Sequence, residues 1–274
     1  MLADALPSSP KLTAAIDGIG LFGPGLPDWP TGRAILAGRA DYVPHIFPLH
    51  APASLPAAER RRTSKIIKLA LTVGLEAAVA AGLEPASLPT VFATSNGDGY
   101  NCDEICSALA SADRQISPTR FHNSVNNAPA GYWSIAAQAM PPSFVLCAFD
   151  ASFGAGLLEA LAQVAVDGMP TLLIAYDAEY PEPLRSCRPV LDSFGVALLL
   201  SPTRSAQTLV EIAVALTDEA ADTLADERLE QLRRTIPIAR SLPLLQAIAQ
   251  GGGRRAVLDY LAPARLAVEL GPWV

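Results

Sequence analysis

Apolar positions along the chain fall into two periodicities. Short, nearly unbroken apolar runs occur at residues 14–22 (AAIDGIGLF), 90–95 (TVFATS), 143–149 (SFVLCAF), 170–176 (PTLLIAY), 194–201 (FGVALLLS) and 209–216 (LVEIAVAL). Runs of this length, rich in β-branched residues and bounded by Gly, Pro or Asn, predict strands. Helical spacing predicts helices at 29–38, closed by Gly38, at 57–83, stopped by Gly82 and Pro85, and at 101–111, 128–139 and 152–168. A further helix is expected at 241–250, capped by Ser241 and ended by Gly251-Gly252-Gly253. Residues 218–235 read as a polar surface helix, and 256–270 as one or two last strand pieces. Residues 1–12 read as a frayed end, and the proline-rich stretches 41–56 and 180–189 as surface loops. Strands 194–201 and 209–216 are joined by a short connection, which predicts an antiparallel pair. Strands alternate with helices early and pair directly late, so the fold class is α/β, a layered mixed sheet covered by helices.

The stretch 143–168 organises this pattern. A central, buried strand at 143–149 breaks straight into a long apolar helix, with Asp150 and Ser152 both suited to cap it. Such a corner exposes one residue above a helix N-terminus that favours negative charge, a common seat for a nucleophile. The residue occupying it decides the chemistry.

Composition narrows the classes. Of 274 residues half are hydrophobic and 17% charged, which predicts a folded chain able to bury a core. A net charge of −7 sets nucleic-acid binding aside. The start, MLADALPSSPKL, lacks a leader pattern, and the longest apolar stretch, 69–83, carries Glu76 and falls short of a membrane span, so a cytoplasmic protein is expected. Cys102, Cys106, Cys147 and Cys187 form no disulfide framework; Cys102 and Cys106 are spaced to share a helix face, half of a metal site at most, but nothing supplies the other ligands, so the four read as small buried hydrophobes and no metal is expected.

Two polar segments stand out. Arg60, Arg61, Arg62, Lys65 and Lys68 crowd the start of the 57–83 helix, against its dipole, as a solvated face or as a dock for an acidic partner such as a carrier protein. Residues 115–127 (QISPTRFHNSVNN) combine Phe121 and His122 with Asn123, Asn126 and Asn127. They mark either a site or interface, or a series of Asn-closed turns capping the next helix.

The blocks TVFATSNGDG, SPTRFHNSVNNAPAGYWSIA, the strand–corner–helix with LLEALAQVAVDG, PTLLIAYDAE and FGVALLL stand in an order that resembles the N-terminal half of β-ketoacyl synthases, of the thiolase fold. In particular they resemble the short chain-length-factor-type proteins of aryl polyene and related pigment pathways. The resemblance covers residues 12–202, expected as a ketosynthase-like N-terminal domain. Residues 203–274 match no condensing-enzyme block and are expected as a C-terminal extension packing on the same domain.

The resemblance implies a cysteine at the corner to carry an acyl group, with two histidines, or a histidine and an asparagine, from a C-terminal half. Counting back from Leu158-Glu159-Ala160 puts the corner on Asp150 and leaves Cys147 in the strand. Aspartate is a poor acyl acceptor because a mixed anhydride hydrolyses. No histidine follows His122, and the chain is short for a second half of usual size. The implied role is therefore a non-catalytic subunit that pairs with an active β-ketoacyl-ACP synthase as a heterodimer, or with itself as a homodimer, and meets an acyl carrier protein. No cofactor is implied. Strand 143–149 would lie against its counterpart, and Phe121, His122, Asn123, Asn127, Tyr132, Trp133, Phe149 and Phe153 would line the interface or acyl tunnel. The alternative is an acyltransferase or thioesterase with Cys147 or Ser152 as nucleophile, His122 as base and Asp150 orienting it. Against it, the chain has no G-x-S-x-G elbow.

Overall fold

The apolar runs build one eight-stranded mixed sheet. The computed structural model describes residues 11–251 and 255–271, so most of the frayed start expected at 1–12, and Gly252 and Gly253, lie outside the described residues. The strands are β1 (Leu12–Phe22), β2 (Thr90–Ala93), β3 (Ser143–Leu146), β4 (Thr171–Asp177), β5 (Phe194–Ser201), β6 (Val210–Thr217), β7 (Arg255–Asp259) and β8 (Arg265–Leu270). The helices are α1 (Trp29–Leu36), α2 (Ala57–Arg62), α3 (Lys65–Ala80), α4 (Gly99–Ala110), α5 (Pro118–His122), α6 (Ala128–Ala137), α7 (Ser152–Asp167), α8 (Leu184–Cys187), α9 (Glu227–Thr235) and α10 (Leu242–Gln250). Across the sheet the order is β3-β2-β4-β5-β1-β6-β8-β7. β2 pairs parallel with β3 and β4, and the remaining neighbours are antiparallel.

Two cores flank the sheet. Along β4, Leu173 and Ala175 point into a core with α1, α7, α9 and α10, while Leu172, Ile174 and Tyr176 point into a second core with α3 and α6. β5 divides the same way, with Val196, Leu198 and Leu200 on one side and Ala197 and Leu199 on the other. Burial on both faces is why these runs are continuously apolar. The segment Phe149–Asp167 is long and apolar enough by composition to cross a membrane, and half of it is buried within the fold.

Tertiary contacts overturn several local expectations. β5 and β6 do not pair with each other; both pair with β1, which lies between them. A register shift between Ile16 and Gly18 opens a bulge at Asp17. There the buried Asp17 carboxylate accepts Ser201 Oγ at 2.7 Å and Thr208 Oγ1 at 2.6 Å, holding the chain as it crosses from β5 to β6. β3 is not central: it is a four-residue edge strand whose Ser143 and Phe144 are exposed.

The single helix expected at 57–83 is two, because Thr63 turns extended (ψ 129°) and its hydroxyl bonds Arg60 O at 2.9 Å. Arg60, Arg61 and Arg62 therefore end α2, where cations suit the dipole, rather than opposing it. The polar stretch 218–235 is helical only in α9, capped by Asp226. Ser241 precedes α10, but its hydroxyl bonds Ile238 O instead of capping.

Helix α3 fixes β1 at close range. A Cβ on Gly18 would lie 2.1 Å from Ala77 O, and one on Gly20 would lie 2.0 Å from Val73 O, so only glycine admits the helix backbone. Glu76, on the same helix, accepts Leu21 N at 2.9 Å and Trp29 N at 2.7 Å.

Asp177, fully buried at the end of β4, ties three segments. It accepts Thr94 Oγ1 at 3.1 Å and Ser95 N at 2.8 Å beyond β2, and Ile238 N at 3.2 Å before α10. Burial pushes its carboxyl from 3.8 up to about 6, against the lowering by these hydrogen bonds.

Gly20→Ala is expected to destabilise the chain by about 3 kcal/mol in urea unfolding, since a backbone carbonyl must move. For Asp177 the folded carboxyl keeps a proton that the unfolded chain releases between 3.8 and about 6, so rising pH through that window removes stability. Unfolding free energies of wild type minus Asp177→Asn should fall across it; a flat difference would refute the assignment.

Candidate functional site

β3 ends at Leu146, and Cys147 and Ala148 lead into a 3-10 turn, Phe149–Ala151, that runs on into α7. The residue that turns the corner is Phe149, with φ 51°, a left-handed backbone that a bulky residue adopts only under constraint. Its ring is 64% exposed. The Arg188 guanidinium lies over it, 3.6 Å from the ring centroid, a close cation–π contact. Arg188 Nη2 donates to Asp150 Oδ1 at 2.7 Å. From the other side Arg240 donates to Asp150 Oδ2 at 2.8 Å and to Asp150 O at 3.3 Å.

Asp150 is thus not a helix cap. The residue before α7 is Ala151, which has no capping side chain, and the carboxylate is held between two guanidinium groups, each about one-fifth exposed. One guanidinium contact on each oxygen holds the carboxylate in place.

The fallback nucleophiles are no better placed. Ser152 is fully buried; its hydroxyl accepts Ala148 N at 3.0 Å and faces Thr94 O at 3.0 Å and Phe149 O at 2.8 Å. It braces the corner from beneath. Cys147 is exposed rather than a buried hydrophobe, as are Cys102, Cys106 and Cys187, because β3 is an edge strand and α4 lies at the surface. Desolvation pushes the Cys147 thiol up, and the Asn126 side chain 3.5 Å away lowers it only in part. That favours thiol over thiolate. Among the described residues no hydrogen bond joins His122 to Cys147 or Ser152, so the contact that an acyltransferase or thioesterase requires is missing. Nor, among them, does any group of three or more His, Cys, Asp or Glu side chains stand ready for a metal ion.

The eight tunnel or interface residues divide. Phe121, His122, Asn127 and Tyr132 share an apolar groove of about 550 Å³ between α5 and α6, with His122 edge-on to Tyr132 at 6.3 Å. Asn123 turns inward, and its Nδ2 bonds Arg62 O at 2.8 Å, tying α5 to α2. Trp133 is sealed in the core beside α3, whereas Phe153 is sealed in the core on the opposite face of the sheet. Phe149 stands alone at the corner. Arg188 and Arg240, which define this site, come from the proline-rich loop and from the turn before α10; no local pattern singles them out.

With this geometry in view, comparison with known proteins is informative. The family model for the beta-ketoacyl synthase N-terminal domain matches residues 39–257, well beyond the 202 at which the resemblance of sequence blocks stopped. A chain of the ketosynthase ApeO–chain length factor ApeC complex from Xenorhabdus doucetiae aligns at 23% identity with a TM-score of 0.72, covering 94% of this chain and all of that one. The ishigamide ketosynthase/chain length factor gives 14% and 0.70, and the AntDE:AntF complex, a type II PKS acyl-carrier protein with its ketosynthase, gives 11% and 0.69. Each of these covers 96% of this chain and all of the matched one. At such identities the likeness establishes the fold, which is thiolase-like. No curated protein sequence matches the chain. The family match takes in most of the chain, including the corner and both arginines that clamp it, and makes this protein a member of the beta-ketoacyl synthase N-terminal domain family.

Proposed function

We propose that the chain is a non-catalytic, chain-length-factor-type subunit that pairs with an active β-ketoacyl-ACP synthase in fatty acid, polyketide or polyene-type biosynthesis. The observation that carries this reading is the corner itself. Where the family resemblance implies an acyl-carrying cysteine, this chain has a phenylalanine under a guanidinium, followed by an aspartate locked between Arg188 and Arg240. No histidine lies downstream to support decarboxylation.

The surface beside the corner suits a partner. Among the described residues β3 leaves one edge unpaired, and an open edge invites another strand. Phe144 on β3 is 47% exposed and Met140 just before it 93%, with Phe121 and Val125 exposed near the start of α6. Cys147 and Asn126 join the end of β3 to the α5–α6 loop, while Phe144, level with Val91 of β2, stands on the other face of the strand. Ketosynthase–chain length factor complexes share the fold, which favours a ketosynthase as the occupant and a heterodimer as the assembly. An acyl carrier protein would then deliver substrate to the pair. Residues 12–202 and 203–274 act as one body in this scheme, because β6, β8 and β7 extend the sheet that β1 begins.

Three outcomes follow. Incubated with an acyl-loaded carrier protein, the chain should show no covalent acyl adduct by intact mass; a stable adduct on Cys147 would overturn the non-catalytic reading. Co-expressed with a ketosynthase of the same organism, it should co-purify as a stoichiometric complex at micromolar concentration. Phe144→Asp should weaken that complex by about tenfold or more while leaving the melting temperature of the isolated chain unchanged. Failure of the wild-type chain to associate would count against the pairing.

A further inference from the structure

Arg240, which holds Asp150 at the corner, also lines a cavity of about 400 Å³. The rest of its wall is Arg233 and Arg234 from the last turn of α9, Asp259 at the end of β7, Arg265 at the start of β8, and Ala220 and Ala221 after β6. Four arginines and one carboxylate thus meet in one hollow of a chain whose net charge is −7. Nothing in the pairing with a ketosynthase uses it.

The carboxylates behind the wall do not balance its charge. Arg233 holds Glu230 at 2.6 Å and Asp259 at 2.7 Å. Arg265 comes no nearer to Asp259 than 3.6 Å. Arg240 shares Asp150 with Arg188. Arg234 is exposed and makes no ion pair or hydrogen bond among the described residues. Five guanidinium groups therefore share three carboxylates, Asp150, Glu230 and Asp259.

Other negative charge nearby is turned away or small. Glu219 is paired with Arg255, and Asp222 accepts Val257 N at 2.8 Å; neither lines the cavity. The carbonyl end of α9 adds only about half a negative charge. Positive charge remains in excess with each of these counted.

A donor is also left without an acceptor. Arg265 Nε is buried and meets no hydrogen-bond partner, while Nη1 donates to Ala264 O at 2.9 Å. A buried N–H of this kind calls for a partner, and the missing group is an acceptor. Excess charge and an unfilled donor point to the same kind of ligand, an oxyanion.

We propose that this arginine-lined cavity binds a phosphate dianion, either inorganic phosphate or the phosphoryl end of a small organic molecule. Arg234 and Arg265 make the contacts, the first because it holds nothing else and the second because its guanidinium is only partly satisfied. Planar guanidinium forks match phosphate oxygens in pairs. Arg233 and Arg240 stay on their carboxylates and add field rather than contact. Ala220 and Ala221 leave the space that longer side chains would fill. No bond is made or broken; the site is one of binding.

The test is calorimetric titration of the full chain in low-salt buffer with inorganic phosphate, glycerol 3-phosphate and acetate. At least one of the two phosphates should bind about tenfold or more tightly than acetate. Tighter binding of glycerol 3-phosphate assigns the site to an organic phosphate, and tighter binding of inorganic phosphate to the free anion; either supports it. Arg234→Ala should weaken the preferred phosphate about tenfold with an unchanged melting temperature in the absence of ligand. Arg61→Ala, which removes the same charge from α2, outside the cavity, should leave that binding unchanged. The proposal is overturned if neither phosphate outbinds acetate, if Arg234→Ala binds phosphate as the wild type does, or if Arg61→Ala weakens binding equally. These measurements need no ketosynthase, so they stand or fall apart from the pairing.

Discussion

The approach of α3 to β1 governs the rest of the structure. Gly18 and Gly20 let the carbonyls of Ala77 and Val73 come within reach of the strand backbone, a contact no side chain permits. Glu76 then closes the contact by accepting two backbone N–H groups, one on β1 and one at the start of α1. Burial raises this carboxyl, and the two N–H bonds offset the rise only in part. β1 is also the strand that joins the sheet's two halves, with β5 on one side and β6 on the other. Its position therefore sets that of β2–β5, which carry the corner, and of β6–β8, which begin at Val210.

From that anchored sheet the corner inherits its shape. Asp177 pins the ends of β2 and β4 to the segment before α10, and Ser152 hangs α7 from Thr94 O. The turn between β3 and α7 is consequently held tightly enough to keep Phe149 in a left-handed conformation, which costs about 1–3 kcal/mol in isolation. Arg188 and Arg240 make the turn a fixed, charged and aromatic surface.

Breaking the long helix at Thr63 creates a fresh N-terminus at Ser64 and places it opposite the start of α4.

The sequence by itself determined the element types, the two-faced burial of β4 and β5, and the family, because periodicity and block order are local properties of the chain. It also determined that no histidine follows His122. Only the tertiary structure decided that β5 and β6 flank β1, because the crossover rests on Asp17 receiving hydroxyls from residues nearly two hundred positions away. It also decided that β3 is an edge, that the left-handed residue is Phe149, and that Asp150 is clamped by arginines 38 and 90 residues downstream. Partnerships of this range leave no periodic trace: what a carboxylate faces is set by which segments the sheet brings together, not by its neighbours in sequence.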